Sequence, residues 1–242
     1  MQFRIYFLII LFVFSFFSSC SKDDEMIVND DNISEFSEYE FNVINYFKEI
    51  ALGSENGTAS KITRKWTSTM RIFVDGEVTL ANQRALNSIV SEINNLVSDG
   101  FEIEIVDNLE QSNYHMFFGS AREFVAIYPY HSERVIENWG LFRFYINESN
   151  EIIQGHMYVD IERANEIEQR HLLREELTQS LGLARDSYTY LNSIFQQNWT
   201  TTTQYAEIDK DLIRLLYHPD MRIGLNNDEV RPVLEEIIRN QR

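Results

Sequence analysis

Apolar positions along residues 41–242 switch between a spacing of three or four and strict alternation, and each switch marks an element. Residues 41–52 read as a helix that stops at Gly53 and the polar run Ser54-Glu55-Asn56-Gly57. Residues 70–74 read as a strand ending in the turn signal Asp75-Gly76. Thr79 stands where a helix needs a cap, and Leu86, Ile89, Val90, Ile93, Leu96 and Val97 then recur at helical spacing until Gly100. Phe101, Ile103 and Ile105 alternate with Glu102 and Glu104, which predicts a strand with one covered face. Further strands are expected at 114–118, 141–146 and 157–161, with a helical piece at 121–128, and helices at 165–182, 207–217 and 228–239 close the chain. No internal repeat interrupts this order. It predicts an α+β fold in which residues 41–242 form a single domain, a mixed twisted sheet with helices packed on it and a C-terminal helical subdomain.

Composition narrows the function classes. At 44% apolar content, 242 residues suffice for a full core. With 21 basic and 38 acidic residues the net charge is -17, which argues against a nucleic-acid partner. A single cysteine excludes a disulfide framework and a four-thiolate zinc site. That cysteine follows a leader: Arg4 precedes an apolar run at 5–17 broken only by Ser15, too short to span a ~30 Å hydrocarbon core comfortably but suited to secretion.

Ser18-Ser19-Cys20 closes the leader and resembles a bacterial lipoprotein signal. That resemblance implies a signal peptide at residues 1–19, lipidation of Cys20, membrane attachment through it, and a place at the outer membrane or cell surface. Ser21-Lys22-Asp23-Asp24-Glu25 resembles the signal with which Bacteroidetes-type bacteria send lipoproteins to the surface. Residues 20–40 read as an acidic tether, extended by its own repulsion.

The candidate chemistry lies on the helix expected at 165–182. At helical spacing Glu168, His171, Leu172, Glu175, Glu176 and Gln179 share one arc, and Leu173, Leu177, Ser180 and Leu181 share the opposite one. One face should therefore sit on the sheet and the other meet solvent or a cleft, with Gly182 stopping the helix. Glu175 and Glu176 diverge too far to flank one scissile bond as glycosidase carboxylates do. His115, His131, His156 and His218 are isolated in sequence and read as surface or hydrogen-bonded side chains. Trp66 and Trp139 read as core residues.

The run Glu175-Glu176-Leu177-Thr178-Gln179-Ser180-Leu181-Gly182-Leu183 resembles the active-site helix of zincin metallopeptidases, His-Glu-x-x-His-x-x-Gly, and most of all that of the matrixin-type metzincins. The resemblance implies that Glu176 occupies the general-base position and Gly182 the turn glycine. Glu175, Gln179 and Arg185 stand where the three zinc-binding histidines belong, with Asp186 one place on, and Phe195 replaces the methionine beneath the metal. Blocks at 174–183, 186–187, 193–195 and 216–224 are similar to a bacterial family catalogued as domain of unknown function number 2927.

A zincin-like domain with a degenerate cleft of His171, Glu175, Gln179 and Asp186 is thus expected. No metal or other cofactor is expected, with zinc or another divalent cation as the alternative. The implied role is a non-catalytic binding or accessory module that takes a peptide or protein along an edge strand, 141–146. An active metal-dependent peptidase using Glu176 as general base is the alternative, and a purely structural envelope protein is a third reading.

Overall fold

The computed structural model describes residues 36–53 and 61–242. The leader, Cys20, the tether up to residue 35 and the polar run at 54–57 lie outside the described residues. Within them the order is α1 (Glu38–Ala51), β1 (Met70–Gly76), α2 (Leu80–Leu96), β2 (Ile103–Val106), β3 (Tyr114–Gly119), α3 (Ala121–Ile127), β4 (Gly140–Ile146), β5 (Ile152–Asp160), α4 (Glu166–Gln179), α5 (Glu207–Leu216) and α6 (Asn227–Asn240).

Two boundaries differ from the sequence pattern for local reasons. Helix α1 starts before residue 41 because Ser37 caps it: the Glu40 amide donates to the Ser37 hydroxyl and the Ser37 amide donates to the Glu40 carboxylate at 2.7 Å. Glu38, Tyr39 and Glu40, expected in the tether, therefore belong to the domain, and the Tyr39 hydroxyl donates to Asp211 of α5 at 2.6 Å. Strand β5 starts at Ile152 rather than 157, since Gln154 and Gly155 hide the apolar alternation. Gly155 is required there: an added Cβ would lie 2.7 Å from the Tyr114 ring and 2.8 Å from the Arg143 carbonyl oxygen.

The five strands form one sheet in the order β2-β1-β3-β5-β4. The first four are parallel, and β4 runs antiparallel to β5 at the edge. The expected edge segment 141–146 does lie on that edge. Every residue of β3 is buried, so the sheet is covered on both faces at its centre. Tyr114, Met116, Phe118, Met157 and Val159 join Leu173 and Leu177 of α4 in the main core. Phe117, Leu141 and Tyr158 face the other side, against Phe124 of α3 and Val135.

The C-terminal helices pin the end of α4. Trp66 donates its indole N–H to the Ser180 carbonyl at 3.0 Å, and the Tyr217 hydroxyl donates to the Leu181 carbonyl at 2.8 Å, so the last carbonyls of the helix have partners. Buried Asp209 of α5 accepts from the Ser193 hydroxyl at 2.6 Å, the Ile194 amide at 3.0 Å and the Ala206 amide at 2.9 Å. Gly182 turns the chain at φ +112, and an added Cβ would stand 2.1 Å from the Arg64 carbonyl oxygen.

Three of the histidines read as surface or hydrogen-bonded side chains are hydrogen-bonded and buried, and they lie close together. His115 on β3 and His156 on β5 are cross-strand partners, and the turn after α3 lays His131 against them. All three are buried. The Nε2 atoms of His131 and His156 are 2.9 Å apart, the Tyr128 ring stacks on His156 at 4.0 Å, and His115 Nδ1 meets the Tyr128 hydroxyl at 2.8 Å. Burial, helped by the charges of Arg134 and Arg143, pulls His131 down to about 4. Burial, with His131 and Arg143 as neighbours, pulls His156 down to about 3.

Two predictions follow from these contacts. Gly182→Val should lower stability by ~2 kcal/mol or more, because it combines a strained φ with a backbone clash; an unchanged urea midpoint would refute that. The second concerns pH. An unfolded histidine titrates near about 6.5, so between there and about 4 the unfolded chain binds more protons than the folded one. The stability carried by neutral His131 and His156 should be fully present above that range and lost as pH falls through it. Thermal melts from neutral pH downward should show this loss, and His131→Gln should make it shallower; parallel curves would show that the pair does not carry it.

Candidate functional site

Helix α4 begins at Asn165, whose side chain accepts from the Ile167 amide at 3.0 Å while the Asn165 amide donates to Glu168 at 2.8 Å. Its polar arc was expected to face solvent or a cleft, and the outcome is more closed than that. His171 is 3% exposed, Glu176 7% and Gln179 1%. Neighbouring elements supply polar partners all round the helix: Asn82 of α2 donates to Gln169 at 2.9 Å, Arg174 donates to Glu92 at 2.7 Å, and Thr178 shares a 2.6 Å hydrogen bond with Tyr205. Glu175 and Glu176 are therefore not a pair of solvated acids.

These side chains wall a cleft of about 190 Å³ that lies between α4, the start of β4 and the segments 134–139 and 196–199. The structure brings His171, Glu175, Glu176, Gln179 and Asp186 together on it. Arg185 is not there: it is exposed, and its side chain lies over Gly53, where a Cβ would be 2.2 Å from Arg185 Cδ. Phe195 is fully buried and meets Tyr46 edge to face at 6.5 Å. Gly140, the first residue of β4, lets α4 come close; a Cβ at that position would lie 2.8 Å from Glu176 Oε1.

The hydrogen bonds define how the polar atoms are set. His171 Nδ1 lies 2.7 Å from the Thr202 carbonyl oxygen. A carbonyl only accepts, so Nδ1 carries the proton and neutral His171 leaves Nε2 as an acceptor, 3.4 Å from the Thr200 hydroxyl. Burial favours that neutral form by lowering the His171 pKa. Nε2 sits 3.3 Å from Glu175 Oε2. Gln179 donates its amide to Asp186 Oδ1 at 2.5 Å, which turns Gln179 Oε1 the other way, buried and without a hydrogen-bond partner among the described residues.

The outer wall depends on Arg163. Its guanidinium donates to Asp160 at 2.6 Å and to the carbonyls of Val135 at 2.8 Å, Ile136 at 3.1 Å and Asn138 at 3.1 Å, clamping segment 135–138 to the end of β5. Trp139 follows this segment. Expected in the core, it packs partly buried against the main core, and it also lines the cleft and meets Trp199 edge to face at 5.3 Å. Trp199 is 56% exposed. Only the non-local packing of 139 on 199 reveals this pair, though the exposure of an indole beside Gln196, Gln197 and Asn198 is a usable signal.

A three-imidazole zinc site does not fit these residues. A carboxylate and an amide replace two imidazoles, the amide N–H is committed to Asp186, and Arg185 is outside the cleft. No group of three histidine, cysteine, aspartate or glutamate side chains among the described residues is placed to hold a metal ion. No described helix is long and apolar enough to cross a membrane.

Comparison with known proteins places the chain. Among solved structures, the structure of myroilysin is similar at 11% identity, covering 64% of this chain and 95% of that one with a TM-score of 0.40. No curated protein matches. The profile of one protein family matches residues 41–236, nearly the whole of the described domain. The chain belongs to that family, described as Protein of unknown function (DUF2927).

Proposed function

We propose that this protein is a lipid-anchored module of the outer membrane or cell surface that binds an extended polypeptide along β4 and does not cleave it. The observation that carries this reading is the edge of β4, which runs beside the cleft and pairs with no further strand among the described residues. The Asp160 amide donates to the Trp139 carbonyl at 2.7 Å, so residues 139, 141, 143 and 145 are the ones that bond to β5. The backbone groups of Gly140, Phe142 and Phe144 then point outward. An added strand can pair with them, and its side chains reach the cleft next to Gly140 and Leu141.

Absence of cleavage is proposed from the donor set. Glu176 keeps the general-base position of the zincin pattern, but the neighbouring positions carry Glu175, set beside His171, and Gln179, whose amide is held by Asp186. Attachment through Cys20 is proposed from the leader pattern alone, with the acidic stretch after it as spacer.

The test is selection of short displayed peptides by the full-length chain, with Phe142→Ala and Phe142→Pro as variants. Proline on an edge strand removes the outward N–H without breaking a ladder bond, whereas alanine removes only the ring. Wild type and the alanine variant should retain peptides intact and the proline variant should lose them. Equal retention by the proline variant would rule out strand addition, and cleaved peptides would favour a peptidase.

A further inference from the structure

We infer that His131 and His156 form an acid-sensitive latch: when both rings take up protons, the turn at 129–131 lets go of the sheet, and a polypeptide held along β4 is released. The release rests on the reading of β4 as a binding edge, whereas the latch stands on separate observations.

The first is how few protons the pair can hold. The two Nε2 atoms lie 2.9 Å apart, which suits one shared proton, one ring donating and the other accepting. An imidazolium carries N–H on both ring nitrogens, so with both rings charged two N–H groups would face each other across that gap. Charging His131 alone is poorly served too, because its Nδ1 is buried with no hydrogen-bond partner among the described residues. Both side chains are buried, so neither charge meets bulk water while the turn stays in place.

The second is the set of groups packed around the pair. Strand β4 supplies Arg143, the cross-strand partner of His156, together with Tyr145. The turn supplies Tyr128 and Tyr130, and α3 the uncharged ring of Phe124, stacked on His131 at 5.5 Å. The next short turn supplies Arg134, whose charge, with that of Arg143, opposes a proton on His131. Strand β3 supplies His115, which takes the Asp75 carboxylate of β1 at 3.2 Å. Farther along β5, Asp160 is met by Tyr158 and Arg163. Protonation therefore adds cations beside Arg134 and Arg143, with the nearby carboxylates already engaged.

The third is the mechanical link to the edge. The Tyr130 hydroxyl meets the Tyr145 hydroxyl at 2.8 Å and His156 Nε2 at 3.4 Å. The Arg143 guanidinium lies over the Tyr130 and Tyr145 rings at 5.1 and 5.2 Å. The turn that carries His131 thus sits on residues 143 and 145, two of those that bond β4 to β5. Its release takes that support from the edge strand and slackens the adjoining wall at 134–138. Between about 6.5 and about 4, each histidine that gains a proton on opening favours the open form about tenfold per pH unit, and the pair about a hundredfold.

The experiment is hydrogen exchange of the full-length chain at about pH 7.5 and about pH 5, corrected for the intrinsic pH dependence of exchange. Segment 128–139 should exchange at least about tenfold faster in acid while β1 and β3 keep their protection. His131→Gln should flatten that rise. Arg143→Leu, at an exposed position that leaves both rings intact, should move it to lower pH, and His218→Gln, outside the cluster, should leave it as in the natural chain.

Unchanged exchange of 128–139 would overturn the latch, as would an equal rise throughout β1 and β3. The peptides selected above separate the two claims. Washed at about pH 5, the natural chain should release them and His131→Gln should keep them. Peptides kept by the natural chain while 128–139 opens would refute the coupling to β4. No peptide bound even at neutral pH, with the local opening present, would refute the binding edge and leave the latch standing.

Discussion

Helix α4 is rich in polar residues and yet buried over most of its length, and much of the remaining architecture answers that constraint. Transferring α4 out of water leaves Gln169, Arg174, Thr178 and the residues facing the cleft in need of partners. Asn82 and Glu92 of α2, Tyr205 and the Thr202 carbonyl supply them. The carbonyls at its end are met by Trp66 and Tyr217. These partners come from several parts of the chain, so the helix acts as the post around which the α2, 200–205 and C-terminal segments are arranged.

The same constraint decides what was legible in the sequence. Elements whose cores are built from apolar periodicity, such as α2, β3 and α5, stood out because a single local period reports burial. Gly182 was readable too, since a left-handed turn after a helix has few other occupants. The environment of α4 was not. Its pattern points the polar arc to solvent or a cleft, but the partners that bury Gln169, Arg174 and Thr178 come from other elements and are visible only in three dimensions. The histidines were legible as hydrogen-bonded side chains but not as neighbours: His115 and His156 meet through the register of β3 and β5, and His131 arrives from a separate turn.

Within the cleft, the resemblance to zincin peptidases and the geometry part company in an informative way. Glu175, Glu176, Gln179 and Asp186 come together as the pattern implies, and the edge strand lies where a bound chain can use it. The groups at the ligand positions differ in chemistry, however. An imidazole offers a lone pair to a soft or borderline metal, whereas Gln179 offers a carbonyl oxygen and spends its amide on Asp186.

The central claim is therefore that the cleft recognises a ligand without a resident metal. The most direct measurement is elemental analysis of the full-length chain after dialysis against excess zinc and removal of the unbound ion, with Glu175→His combined with Gln179→His as the comparison. The natural chain should retain far less than one ion per molecule, and the double-histidine chain should retain more. One tightly held ion per molecule of the natural chain, lost on changing Glu175 or Asp186, would contradict the claim and make the cleft a metal centre.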